Sequence, residues 1–207
     1  MAGVVQRFVP VVFSLAMFCV IGFLVYMYYP ENHFALKYQA AIDCRRIQAV
    51  HTIADLAERY KEKQGYYPLA DGVRTSFDEQ SSGRAISVII TNKELPKSYT
   101  VNPPAEIEGK MVSPHRFEEE IGRVLGIEVS LPYDPQTNFA WEKRFYLYKV
   151  TPDDQYSVSG ILFSATEYTQ KQGNHRYRYQ VASTLYQDKN SRIYKAIKDK
   201  IAVCEAP

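Results

Sequence analysis

The chain starts with a long uncharged stretch and continues with segments of helical and then strand period. Residues 8–29, FVPVVFSLAMFCVIGFLVYMYY, contain no charged side chain. About 20 such residues cross the apolar core of a bilayer as a helix. The run is also longer than the apolar part of a cleaved signal peptide. The pattern therefore predicts an uncleaved transmembrane anchor over residues 8–29, preceded by a short cytoplasmic segment, residues 1–7.

The charges around this run predict its orientation. Arg7 is the only charged side chain before it, and positive charge favours the cytoplasmic side of a membrane. We therefore expect a single-pass protein of the inner (plasma) membrane, with the bulk of the chain in the periplasm and the lipid bilayer as one partner. Small side chains let membrane helices approach closely, so we expect the anchor to pack at Ser14, Ala16 and Gly22.

An amphipathic helix is predicted directly after the anchor. Apolar residues recur there at intervals of three and four, which is the helical period, and charged residues occupy the other faces. Gly65 suits the C-cap, and Pro68 prevents continuation. Residues 30–68 are therefore predicted to form a stalk helix. Its predicted core face consists of Val50, Ile53, Ala57 and Tyr60.

Residues 69–207 are predicted to hold a loop, a short helix, a sheet and a last helix. The polar residues 69–84 are typical of a loop, and the β-branched run 85–92 fits either a strand or a buried helical turn. Residues 97–112 show no regular pattern. Ser113 and Pro114 form a helix start, an N-cap followed by Pro at the first helical position. That short helix should end at Gly126.

The period changes from helical to alternating after this short helix. Residues 127–131 alternate between apolar and polar side chains, which favours a strand. Three further strands are predicted over residues 145–150, 156–165 and 176–184. A hairpin turn is predicted at residues 170–175, and an amphipathic helix at residues 191–203. The expected fold is α+β, a long helix packed on an antiparallel sheet.

Composition narrows the classes of partner. The chain has 25 Lys and Arg against 23 Asp and Glu. The part after the anchor is thus close to neutral, whereas nucleic-acid binding calls for a basic face. The 17 Tyr residues suit a half-buried sheet or an interaction surface. We therefore expect no nucleic-acid partner.

The cysteines suggest a covalent link. Cys19 lies within the predicted anchor, whereas Cys44 and Cys204 lie in the outer part of the chain. Such a pair forms a disulfide in an oxidising compartment. The alternative is two separate buried thiols. We expect the disulfide, which would join the start of the domain to the end of the chain.

Short motifs then resemble a known architecture. Residues 53–61 (IADLAERYK), followed by Gly65, Tyr67 and Pro68, are similar to the end of the long helix in major pseudopilins. Asp134 and Pro135, within the segment LPYDP, resemble the turn that introduces the sheet of that family. The chain thus resembles the type IV pilin and type II secretion pseudopilin architecture. That resemblance implies a structural, protein-binding component of a bacterial envelope assembly, with pilin-like subunits or assembly proteins as partners.

The chain departs from this family at its amino end. Pilins carry a cleavage-site Gly, with Glu at the fifth mature position. Here Gly3 is followed by Val4, and Phe8 stands at the fifth position. The usual prepilin cleavage motif is therefore lacking.

No motif indicates catalysis, a cofactor or a metal. The four His residues show no metal-ligand spacing, and neither a phosphate loop nor a Gly-x-Ser-x-Gly is present. Asp153 and Asp154 could bind calcium, but calcium needs six or more oxygen ligands, so we expect a solvated turn and no metal. We expect no cofactor and no enzyme. Two alternatives stay open: a membrane-tethered extracytoplasmic ligand-binding or sensing module, and a membrane-tethered enzyme.

Overall fold

The computed structural model divides into two compact units, Met1–Ala41 and Ile42–Pro207. The sheet and the hydrophobic core belong to the second unit. The structure describes residues 16–24, 33–71, 85–91, 107, 109–135, 145–166, 169–173, 176–187, 194–195, 199 and 204.

The prediction of a transmembrane helix is wrong for the residues that the structure describes. Residues 16–24 are helical. Among the described residues, none of the helices combines the length and the apolar character needed to cross a membrane. The rest of the predicted span, including Ser14, lies outside the described residues. Ala16 and Gly22 are exposed, and a Cβ added to Gly22 would meet nothing within 4 Å.

The long helix after this region is confirmed. Helix α1 covers His33–Gln64, and Gly65 follows with a φ of 81°, a left-handed conformation that glycine adopts without strain. The Gly65 N–H donates to the Lys61 carbonyl, which closes the last turn. The cap and stop signals therefore mark the end of this helix correctly.

Six strands form one sheet in the order β2-β1-β3-β4-β6-β5. The β1–β2 pair is parallel, and the other four pairs are antiparallel. The sheet is therefore mixed, which corrects the expectation of a purely antiparallel one. The strands are β1 Ile86–Ile90, β2 Lys110–Val112, β3 Tyr146–Val150, β4 Tyr156–Leu162, β5 Thr169–Gly173 and β6 Arg176–Ala182.

The strand predictions over residues 145–150, 156–165 and 176–184 are confirmed as β3, β4 and β6, and residues 85–92 contain a strand. Three details were wrong. Residues 127–131 form no strand, β2 lies in a stretch expected to be irregular, and β5 occupies most of the predicted turn at 170–175. Most of the predicted helix at 191–203 lies outside the described residues.

Helix α2, Pro114–Leu125, has the predicted ends. The Ser113 hydroxyl accepts from the Arg116 N–H, and Gly126 at φ 70° forms the C-cap. Phe117, Ile121 and Leu125 are buried along one face. A further short helix, α3, covers Ser183–Gln187 directly after β6 and was not predicted.

The core lies between the second half of α1, helix α2 and the sheet. Val50, Ile53, Ala57 and Tyr60 are at most 1% exposed, as the stalk-face prediction requires. A Cβ added to Gly160 on β4 would lie 3.3 Å from Val50, so α1 and the sheet are in close contact there. The Phe117 ring of α2 lies 4.5 Å from the ring of Tyr148 on β3. These contacts join helices and sheet into one core.

The predicted disulfide between Cys44 and Cys204 is present, with a Cα–Cα distance of 5.4 Å. It joins α1 to the end of the chain across a sequence separation of 160 residues. Cys19 is free and exposed.

Candidate interaction site

A cavity of about 250 Å³ lies between the end of α1, helix α2 and the β1–β2 edge of the sheet. Three cationic side chains, Lys110, Arg116 and Arg123, line it together with two Tyr rings and several aliphatic side chains. We call this cavity the basic groove. Its floor includes Tyr60, Tyr66 and Ile86.

The wall between α1 and α2 is fixed by hydrogen bonds. The Tyr60 hydroxyl donates to Glu120 Oε1 over 2.8 Å, and the Leu69 N–H donates to the same oxygen over 3.0 Å. Burial, followed by the Glu120 carboxylate, raises the pKa of Tyr60, so the hydroxyl stays protonated and remains a donor. Lys63 Nζ donates to the Leu125 carbonyl over 3.1 Å. The two helices are therefore held together on this side.

The sheet side of the groove depends on one glycine. Gly109 has a φ of 79°, and a Cβ there would lie 1.7 Å from the Ala85 carbonyl oxygen. Only glycine fits so close an approach. The Lys110 N–H then donates to that same carbonyl over 3.0 Å, which starts the parallel pairing of β2 with β1. The position of Lys110 is thus set by the backbone beside it.

The groove carries more positive than negative charge. Lys110, Arg116 and Arg123 are exposed, and none of the three forms an ion pair within the described part of the chain. The two acids in the lining are Asp71 and Glu120. Glu120 already accepts two hydrogen bonds in the groove wall, and Asp71 also has a partner of its own. The three cations therefore face the solvent as available anion-binding groups.

A second polar cluster lies inside the fold, and it is structural. Arg46 is 2% exposed and holds Asp134 through two hydrogen bonds, Nε to Oδ2 at 2.7 Å and Nη2 to Oδ1 at 3.2 Å. Asp43 accepts from the N–H groups of Phe163 and Ser164. Burial raises the pKa of Asp43, although these hydrogen bonds and Arg46 act in the opposite direction. The cluster ties α1 to the segment after α2 and to the end of β4.

A buried histidine also lies on α1. His51 is 4% exposed. Its Nδ1 lies 3.0 Å from the Tyr186 hydroxyl, and its Nε2 lies 2.8 Å from the Tyr179 hydroxyl. Both ring nitrogens are therefore satisfied inside the core. His51 is therefore a packing residue of the core.

The motif residues have structural roles at the end of α1. Tyr67 is buried, and its N–H donates to Asp154 Oδ1. The Pro68 carbonyl accepts from the Tyr148 hydroxyl over 3.0 Å. Asp134 binds Arg46, and Pro135 is half-buried beside it in sequence. These residues connect the helix end to the sheet.

The predicted turn acids differ in their surroundings. Asp154 accepts from the Tyr67 N–H and lies 3.2 Å from Lys61 Nζ. Both of its oxygens are therefore engaged within the protein, whereas Asp153 is exposed. No group of three or more His, Cys, Asp and Glu side chains suited to a metal ion occurs among the described residues.

Comparisons with protein-family models, with curated proteins and with solved structures gave no match. The pilin-like resemblance therefore rests on the sequence motifs alone and stays a hypothesis. The basic groove was missed at the level of sequence, because its residues come from separate elements and no local pattern connects them.

Proposed function

We propose that the domain is a protein-binding subunit of a pilin-like or type II secretion-like assembly that works outside the cytoplasm. The observation that carries the proposal is the Cys44–Cys204 disulfide within a helix-on-sheet domain. Disulfides persist in oxidising compartments. A domain with the pilin-like motifs of α1 and of the LPYDP segment would lie in such a compartment. The basic groove adds a surface that is suited to a partner.

Two features favour protein binding over small-molecule binding at the groove. Its volume of about 250 Å³ is below the roughly 300–1,000 Å³ of typical small-molecule sites. Its combination of Tyr rings with Arg side chains is also characteristic of residues that dominate protein interfaces.

The proposal is tested by cross-linking a tagged protein in intact native cells, purifying it under denaturing conditions and identifying its neighbours by mass spectrometry. We expect stoichiometric recovery of pilin-like subunits or secretion-assembly proteins. Recovery of a lone protein, or of cytoplasmic neighbours only, would contradict the proposal. A ligand screen of the domain would then test the alternative of a sensing module.

A further inference from the structure

We infer that the basic groove binds an extended acidic segment of a partner protein, with two carboxylates about three residues apart and an apolar side chain between them. This inference rests on the proposed function and specifies the partner's chemistry. Three cations, which form no ion pair with any residue that the structure describes, surround an aromatic and aliphatic floor.

The two arginines set the spacing of the negative groups. Arg116 and Arg123 lie on the same helix, α2. At about 1.5 Å per residue they are about 10 Å apart along its axis. One carboxylate cannot bind both. In the extended polyproline II conformation a peptide rises about 3.1 Å per residue with three residues per turn, so acidic side chains three positions apart lie on the same side, about 9 Å from each other, and match this distance.

The type of cation favours carboxylates. A guanidinium presents a planar fork of N–H donors that binds a carboxylate through two parallel hydrogen bonds. Lys110, on β2, adds a third positive charge across the cavity from α2. Acidic side chains or a chain-terminal carboxylate would each satisfy these donors.

The floor requires an apolar group next to the charges. Tyr60 and Tyr66 have ring centroids 6.0 Å apart in an edge-on arrangement, and Ile86 and Val112 lie beside them. A small inorganic anion would leave this surface unused. The volume of about 250 Å³ accommodates one or two side chains, so an apolar side chain flanked by acids fits the groove.

The test is selection of a random 12-residue peptide library, displayed on phage, against the purified domain. The variant R116E/R123E reverses both α2 charges, and the control R45E/R59E makes the same change in charge at two exposed α1 positions. We expect wild type to enrich peptides with two acids three positions apart around an apolar residue. Binding of the enriched peptide should weaken about tenfold or more in R116E/R123E and stay unchanged in R45E/R59E.

Three outcomes would overturn the inference. In the first, the enriched peptides contain no acidic residues. In the second, R116E/R123E and wild type bind the enriched peptide equally well. In the third, inorganic phosphate saturates the groove and no peptide is selected. Circular dichroism and unfolding midpoints identify a variant that fails to fold, and R116Q/R123Q then replaces it. If the peptide selection fails but the cellular cross-linking recovers the expected neighbours, the inferred acidic segment is wrong and the proposed function still holds. If the selection enriches acidic peptides but the cellular cross-linking recovers none of the expected neighbours, only the proposed function is wrong.

Discussion

Arg46 shows how one buried charge is accommodated in this domain. A guanidinium at 2% exposure loses most of its hydration, a cost that is offset only by good geometry and further hydrogen bonds. Asp134 supplies two of those bonds, Asp43 lies 3.8 Å away, and the Phe163 ring lies 4.7 Å from the guanidinium carbon. The stability of this region therefore depends on the whole set.

Replacing Asp134 by Asn removes the main counter-charge without changing the shape of the side chain. Because Arg46 is then buried without its main counter-charge, we expect the free energy of unfolding to fall by about 3 kcal/mol. Urea denaturation followed by circular dichroism measures the change.

The matched control is Glu119→Gln on α2. Glu119 pairs with His115 at 3.7 Å, but both side chains are mostly exposed, and such pairs contribute little. The control should cost less than about 0.5 kcal/mol. If D134N is as mild as E119Q, the buried pair does not stabilise the domain.

Helix α2 is the element that presents two of the groove cations, and its start depends on Ser113. The hydroxyl accepts from the Arg116 N–H, and Pro114 holds the first helical position. Ser113→Ala leaves that N–H without its cap, so we expect a loss of about 1 kcal/mol in the free energy of unfolding. Ser130→Ala, the same change at an exposed position, should stay within about 0.5 kcal/mol. Equal effects in denaturant titrations would contradict the capping role.

The elements also show what the sequence could and could not predict. Both long helices follow from local signals, since the apolar spacing and the caps at Ser113, Gly65 and Gly126 all lie within the segment they control. Strand β2 is three residues long and depends on its pairing with β1. Residues 127–131 alternate in the same way but pair with no strand in the described part of the chain, so the pattern alone was insufficient.

The candidate site was even less accessible to sequence reasoning. Arg46 and Asp134 are 88 residues apart, and nothing near either residue indicates the other. The groove similarly combines Lys110 with Arg116 and Arg123 through the fold around Gly109 and Glu120. Only the disulfide was predicted over a long distance, because three cysteines leave few choices.

At the scale of the whole molecule, the disulfide restrains the unfolded chain most. The loop it closes spans 160 residues, for which the chain-entropy model gives about 5 kcal/mol. We expect C44S/C204S to lose stability by roughly that amount. Reductant should lower the urea midpoint of wild type and leave that of the double variant unchanged.

Cys19→Ser is the matched control, because Cys19 is free and exposed. It should unfold like wild type and keep the response to reductant. A wild-type protein that is insensitive to reductant would contradict a stabilising role for the bond.

The buried tyrosines predict how the domain responds to alkaline pH. Burial raises the pKa above 10 for Tyr60, Tyr67, Tyr146, Tyr148, Tyr156 and Tyr186. The unfolded chain ionises near pH 10 while the folded hydroxyls keep their protons. Stability is therefore full below about pH 10 and is lost as the pH rises above it. The tyrosinate absorbance of these six residues should increase together with loss of circular dichroism, and their ionisation near pH 10 in a fully folded domain would contradict this.

The most direct measurement is site-specific photo-cross-linking in intact native cells, with the photoreactive residue at position 123 in the groove and, as control, at the exposed position 59 of α1. We predict a defined adduct at position 123 with a pilin-like or secretion-assembly protein, lost when R116E is added. Absence of any adduct at position 123, in cells that contain the protein in its disulfide-bonded form, would contradict a partner-binding role for this domain.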